Sequence, residues 1–124
     1  MLLTIDIGNT VVTLGLFEGE QLDTTVRLAT DTRRQTDEYG VTLINLLKLK
    51  GIDPDQITSA CLCSVVPPLT AVFESVVHNY FHVTPLLVSA GVRTGMPILY
   101  DTPRDVGADR IADAVAATKL YGAP

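Results

Sequence analysis

Short apolar runs open the chain. Leu2, Leu3 and Ile5 lead to a carboxylate at Asp6, and residues 11–17 and 23–29 follow as two more runs rich in Val, Leu, Thr and Phe. Runs of this length and composition read as strands, predicted at about 2–6, 11–17 and 23–29. Gly8-Asn9 separates the first two and Glu18-Gly19-Glu20 the next two; both are turn signals between β-rich runs. Three strands joined by tight turns make an antiparallel meander. Asp6 is then expected at the end of one strand and Thr10 at the start of the next.

The period changes after the polar loop 30–35. Thr36, followed by Asp37 and Glu38, is an expected N-cap with an acidic first turn. Tyr39, Leu43, Leu46 and Leu47 recur at helical spacing until Gly51 stops them. A buried strand is predicted over 57–65, and Pro67-Pro68 opens a second helix with Val72, Phe73, Val76, Val77 and Tyr80 facing inward. A short strand over 85–89 and a stretch punctuated by Gly and Pro lead to Pro103. A last helix follows over 104–121, with Val106, Ile111, Ala114, Val115 and Thr118 on one side. The order β-β-β-α-β-α-β-α joins a meander to parallel crossover units. It predicts an α/β domain with one mixed five-stranded sheet and helices on its faces.

Composition narrows the class. A chain of 124 residues fits one domain able to bury roughly two-thirds of its unfolded surface. A net charge of −5, with nine scattered Lys and Arg, lacks the basic face that a nucleic-acid partner requires. No apolar run is long enough to cross a bilayer, and the N-terminal pattern is not that of a secretory leader, so a cytoplasmic protein is expected. Cys61 and Cys63 would share a strand face as small buried hydrophobes; C-x-C with no further cysteine leaves too few ligands for a structural metal. His78 and His82 are four apart, but Asn79 stands where the zinc-protease pattern needs glutamate, and no third ligand is apparent. Arg33-Arg34 is read as a solvated pair.

The chemistry concentrates at two places. At the first, Gly8 leaves the backbone open to a phosphate, Asn9, Thr10 and Thr13 can donate to phosphate oxygens, and Asp6 is a hard oxygen ligand suited to Mg²⁺. The same residues would also serve an ordinary hairpin. The pattern Asp6-Ile7-Gly8-Asn9-Thr10 resembles the phosphate hairpin of the actin, Hsp70 and sugar-kinase superfamily. That resemblance implies a ribonuclease-H-like, actin-like ATPase domain, an order the predicted elements share. It also implies ATP binding along Asp6, Ile7, Gly8, Asn9, Thr10, Val11, Val12 and Thr13.

The second place is 100–114, Tyr-Asp-Thr-Pro-Arg-Asp-Val-Gly-Ala-Asp-Arg-Ile-Ala-Asp-Ala. Residues 104–109 would form the first turns of the last helix, where free N–H groups and the helix dipole favour an anion. Asp105 and Asp109 could equally be acids that compensate that dipole, Arg110 a surface ion-pair partner and Tyr100 a core aromatic. With the Asp6–Thr10 motif and Ser64-Val65-Val66-Pro67, a strand-to-helix junction, this stretch resembles the type III pantothenate kinases in motif, order and spacing. The resemblance implies that Asp109 is the general base for a primary hydroxyl. It also implies that Tyr100, Gly107, Ala108, Asp109 and Arg110 contact pantothenate, itself a carboxylate. Asp101, Asp105 and Asp113 are read as structural.

Members of that family are about twice this length. The resemblance therefore implies the N-terminal lobe of a two-lobe kinase, with the second phosphate hairpin, the K⁺ or NH₄⁺ ligand and another substrate residue expected beyond residue 124. The implied reaction is ATP- and Mg²⁺-dependent phosphorylation of pantothenate to 4′-phosphopantothenate, by a homodimer when intact. One lobe alone is expected to be nearly inactive, since phosphoryl transfer needs positioning from both sides. A non-catalytic accessory member of the family, or a sugar kinase of the superfamily, are the competing readings.

Overall fold

The computed structural model describes residues 1–88. The expected last helix over 104–121, and the candidate residues Tyr100, Gly107, Ala108, Asp109 and Arg110, lie outside the described residues. Within them the elements run β1 (Leu2–Ile7), β2 (Val11–Glu18), β3 (Gln21–Ala29), α1 (Thr36–Leu49), β4 (Ser59–Ser64), α2 (Pro67–Val76) and β5 (Leu86–Val88). The five strands form one sheet in the order β3-β2-β1-β4-β5. β1 pairs antiparallel with β2 and parallel with β4, β2 pairs antiparallel with β3, and β4 pairs parallel with β5. The mixed sheet expected from the sequence is present.

Alternation decides which face of the sheet each residue takes. Leu3, Ile5 and Ile7 of β1 stand in register with Leu16, Leu14 and Val12 of β2, and Leu3 and Ile5 also with Ala60 and Leu62 of β4. These side chains join Tyr39, Leu43 and Leu47 of α1 and Leu69, Phe73 and Val76 of α2 in one core. Tyr39 and Phe73 lock the two helices together, their rings 4.7 Å apart and tilted by 46°. Truncating any of these fully buried leucines would cost about 2–5 kcal/mol. The opposite face carries Leu2, Thr4 and Asp6 beside Thr13, Gly15, Cys61 and Cys63, and both cysteines are buried as small apolar groups.

Several boundaries differ from the sequence expectation, each for a local reason. Gln35, not Thr36, precedes the first helical residue, and the Glu38 carboxylate accepts from the Gln35 N–H at 2.9 Å, one half of a capping box. The strand predicted from 57 starts at Ser59, because Pro54–Gln56 forms a 3₁₀ turn capped by Asp53. β3 starts at Gln21, two residues after Gly19, which lies in the left-handed region at φ 64°. The register of β2 and β3 slips between Leu16 and Phe17, so that Asp23 is an extra residue on the outer strand. The second helix loosens into a π turn over Val77–Phe81 and stops at His82, held left-handed at φ 58°. Both histidines are exposed, and among the described residues no cluster of three or more His, Cys, Asp or Glu side chains could hold a metal.

Tyr80 packs half-buried against the margin of the core, on the side its spacing suggests. Its ring crosses α1 at Gly40, and its hydroxyl donates to Asp37 Oδ1 at 2.6 Å. That bond, with some desolvation, raises the phenol above its ordinary value of 10.0, since ionisation would place two negative oxygens together. A mid-helix glycine costs about 1 kcal/mol relative to alanine, and the space occupied by Tyr80 explains it. A methyl group at Gly40 would overlap three carbons of the ring. In a Tyr80→Ala background, Gly40→Ala should therefore stabilise the fold by about 1 kcal/mol in urea unfolding. In the wild-type background the gain should vanish or reverse. An equal gain in both backgrounds would refute the steric account.

Candidate functional site

The topology brings an end of each of four strands, and three connecting segments, to one end of the sheet. β1 and β4 finish there, β2 begins there, and β3, antiparallel to β2, returns there. In open α/β sheets ligands bind at this carboxyl edge of the parallel strands. The segments are the turn Gly8–Thr10, the start of the loop at Thr30, and the junction Ser64–Pro67.

Asp6 stands directly opposite Thr13 of β2 and Cys63 of β4. Facing positions in a ladder share a face about 5 Å apart, so the carboxylate and the threonine hydroxyl are neighbours one residue before the turn. Asp6 is half-buried, as is Thr13, whereas Asn9 and Thr10 are exposed. Strand β1 runs through Ile7, one residue further than expected, and β2 starts at Val11, leaving Thr10 in the turn.

The turn is not centred on Gly8-Asn9. Gly8 N–H donates to Val11 O at 3.0 Å, and Asn9-Thr10 forms the tip. Neither Gly8 nor Asn9 has a positive φ; glycine is used at position 8 because a Cβ would stand 3.1 Å from Val11 O. The Gly8 carbonyl leaves the turn to accept the Thr30 hydroxyl at 2.8 Å, and Thr30 N–H donates to Thr10 O at 3.0 Å. On the other flank Val65 N–H donates to Ile7 O at 3.0 Å. Ser64 folds its hydroxyl back onto Val66 N–H at 3.0 Å, shaping the expected strand-to-helix junction. The turn is thus held from both sides.

Thr30 carries no sequence signal beyond membership of a polar loop; its partners lie 20 and 22 residues earlier and only the meander brings them close. Next to it, Asp31 and Arg33 form a bidentate pair at 3.1 and 3.3 Å. Arg34 lies over the Tyr39 ring, 5.7 Å from its centroid. Both arginines stay exposed, the Arg33 side chain by 89%, as expected of a solvated pair. A groove of about 160 Å³ also opens on the Asp6 face, lined by Thr4, Thr13, Gly15, Phe17, Leu22 and Arg27, but it runs away from the turn toward the far end of β2.

The five-stranded mixed sheet with helices is that of the actin-like ATPase fold. A protein of Porphyromonas gingivalis, provisionally named an N-acetylglucosamine kinase, shares this fold at a TM-score of 0.53 over 72% of this chain and 34% of its own, with 14% identity. The family is more specific. The model of the type III pantothenate kinases matches residues 2–124, and the chain belongs to that family. The type III pantothenate kinase of Geobacter sulfurreducens is 51% identical over 121 residues, 98% of this chain and 48% of the relative. That of Myxococcus xanthus is 50% identical over 123 residues, 99% of this chain and 48% of the relative. The chain spans about half the length of the curated relatives it matches.

The Arg33 hydrogen bonds, from side chain and backbone, hold the Asp31 carboxyl below its ordinary value of 3.8. A lowered folded pKa means that the pair adds stability above that value, lost as pH falls through the folded pKa. Arg33→Ala should return the Asp31 titration, followed by carboxyl NMR, toward 3.8. The same variant should leave nucleotide affinity unchanged, because this guanidinium is already engaged; a loss of about tenfold or more (about 1.4 kcal/mol) would place Arg33 on the phosphates instead.

Proposed function

We propose that this chain is part of an enzyme that transfers the γ-phosphoryl group of ATP to the 4′-hydroxyl of pantothenate, the first step toward coenzyme A, together with the further length its relatives possess. The observation that carries the reading is the family match across residues 2–124. The placement of Asp6 and Thr13 side by side beneath the Gly8–Thr10 turn supports it.

In this reading the backbone of residues 7–12 and the side chains of Asn9, Thr10 and Thr13 hold the phosphates of ATP. Asp6 is the protein's ligand to Mg²⁺, which would neutralise charge on the phosphates. A single half-buried carboxylate fits that ion, since Mg²⁺ takes one or two carboxylates and completes its shell with water and phosphate. Asp109 accepts the hydroxyl proton of pantothenate as that oxygen bonds to the γ-phosphorus and the bond to the ADP oxygen breaks. Tyr100, Gly107, Ala108 and Arg110 hold pantothenate, with Arg110 on its carboxylate. A monovalent cation, K⁺ or NH₄⁺, a homodimer and a cytoplasmic setting complete the proposal. No described helix is long and apolar enough to cross a membrane.

The test is phosphorylation of pantothenate with ATP, Mg²⁺ and K⁺, comparing the 124-residue chain with one continued to the length of its relatives. Turnover is expected only in the longer chain. There Asp109→Asn should lower kcat by about 10²- to 10⁴-fold, the usual worth of a general base. Full turnover by that variant would remove Asp109 from the role. Phosphorylation of sugars with no response to pantothenate, or nucleotide binding without turnover, would sink the proposal.

A further inference from the structure

We infer that Thr30 is a positioning residue for the phosphate turn, clamped from the helical core by Tyr39. The inference rests on the proposed reading of Gly8–Thr10 as a phosphate site and adds a residue to it that touches no ligand.

Thr30 engages two carbonyls of the turn at once: its hydroxyl donates to Gly8 O at 2.8 Å and its N–H to Thr10 O at 3.0 Å. No cis peptide occurs among the described residues, and in a planar trans peptide the C=O and the following N–H point opposite ways. Fixing the Gly8 and Thr10 carbonyls on the Thr30 side therefore fixes the Asn9 and Val11 N–H groups away from it. Two carbonyl dipoles that would repel an anion are turned aside, and two donors that would attract one are given a set direction. Asn9 lies at the exposed tip where a ligand can reach its N–H.

Thr30 is itself gripped on both sides. The Tyr39 hydroxyl donates to Ala29 O at 2.9 Å and accepts from Asp31 N–H at 2.9 Å, spanning Thr30 like a bracket. The Tyr39 ring is fully buried against Phe73. A continuous chain of contacts thus runs from the α1–α2 core through one hydroxyl to the backbone around Thr30, and through Thr30 to the turn. Small misplacements of reacting groups cost up to about 10²-fold in rate, so a rigid strut here has a measurable consequence.

The experiment uses the full-length chain with Thr30→Val, which keeps the branched shape and removes the hydroxyl, Thr30→Ser, which restores it, and Tyr39→Phe, which keeps the ring. Thr30→Val should lower kcat/KM for ATP by about 10- to 100-fold while KM for pantothenate stays at the wild-type value. Thr30→Ser should recover most of the loss, and Tyr39→Phe should move ATP kinetics in the same direction by less. Undiminished kcat/KM for ATP in Thr30→Val would overturn the inference. So would a loss that serine does not rescue and that simply follows a lowered Tm. If the wild-type chain phosphorylates no pantothenate, the proposed function fails, and Thr30 is then judged by MgATP affinity alone. Weaker binding by Thr30→Val than by wild type upholds the strut; equal binding, or none by wild type, overturns it.

Discussion

The double pairing of β1 is the constraint on which the rest depends. With β2 antiparallel on one side and β4 parallel on the other, every side chain of β1 has its neighbours and its face assigned. Because the side-chain period is two, a slip of one residue would send Ile5 and Ile7 out of the core and Asp6 into it. Burying a lone carboxylate costs several kcal/mol, while each displaced isoleucine forfeits about 2 kcal/mol. The apolar pattern of β1 therefore sets the position of Asp6 with energy to spare. Its chemistry is a by-product of the register that the core enforces.

The helices extend that control to the loops. Tyr39 belongs to α1 by periodicity and to the core by burial, yet its hydroxyl reaches past the core to the backbone at Ala29 and Asp31. A phenylalanine would fill the same volume and leave that backbone unheld. Tyr80 plays a comparable part between the two helices, tying the end of α2 to the start of α1 through Asp37, with Gly40 hollowed out to receive it. Both tyrosines combine an apolar ring that is packed with a polar tip that fixes something further on.

Elements whose cause is local were legible in the sequence. The meander followed from three β-rich runs and two short turns, the helices from the 3.6 period and from Pro67-Pro68, and the mixed sheet from the order of elements. The Asp6–Thr10 motif lies at the carboxyl edge of the parallel strands. Features whose cause is tertiary were not legible. Thr30 looks like any loop threonine until β3 carries it back beside Gly8. Gly8-Asn9 looks like the centre of a two-residue turn until Thr30 draws the Gly8 carbonyl outward and moves the tip to Asn9-Thr10. Gly40 reads as a helix defect until Tyr80 is in place. Arg33-Arg34 is exposed as read, but neither the carboxylate of Asp31 nor the ring of Tyr39 announces itself in the sequence as a partner. The family resemblance carried by 100–114 concerns residues beyond those described, and its weight comes from the match over residues 2–124.

The slip at Asp23 has a bearing on self-association. Sheet edges offer unpaired N–H and C=O groups to any other strand, and are a common route to aggregation. On the β3 edge an extra residue at Asp23 breaks the regular spacing of those groups, and exposed Asp23 and Arg27 put charge along it. A strand from another molecule pairing along β3 would have to lose ladder spacing at Asp23. The irregular, charged outer strand thus disfavours joining of separate copies along the β3 edge.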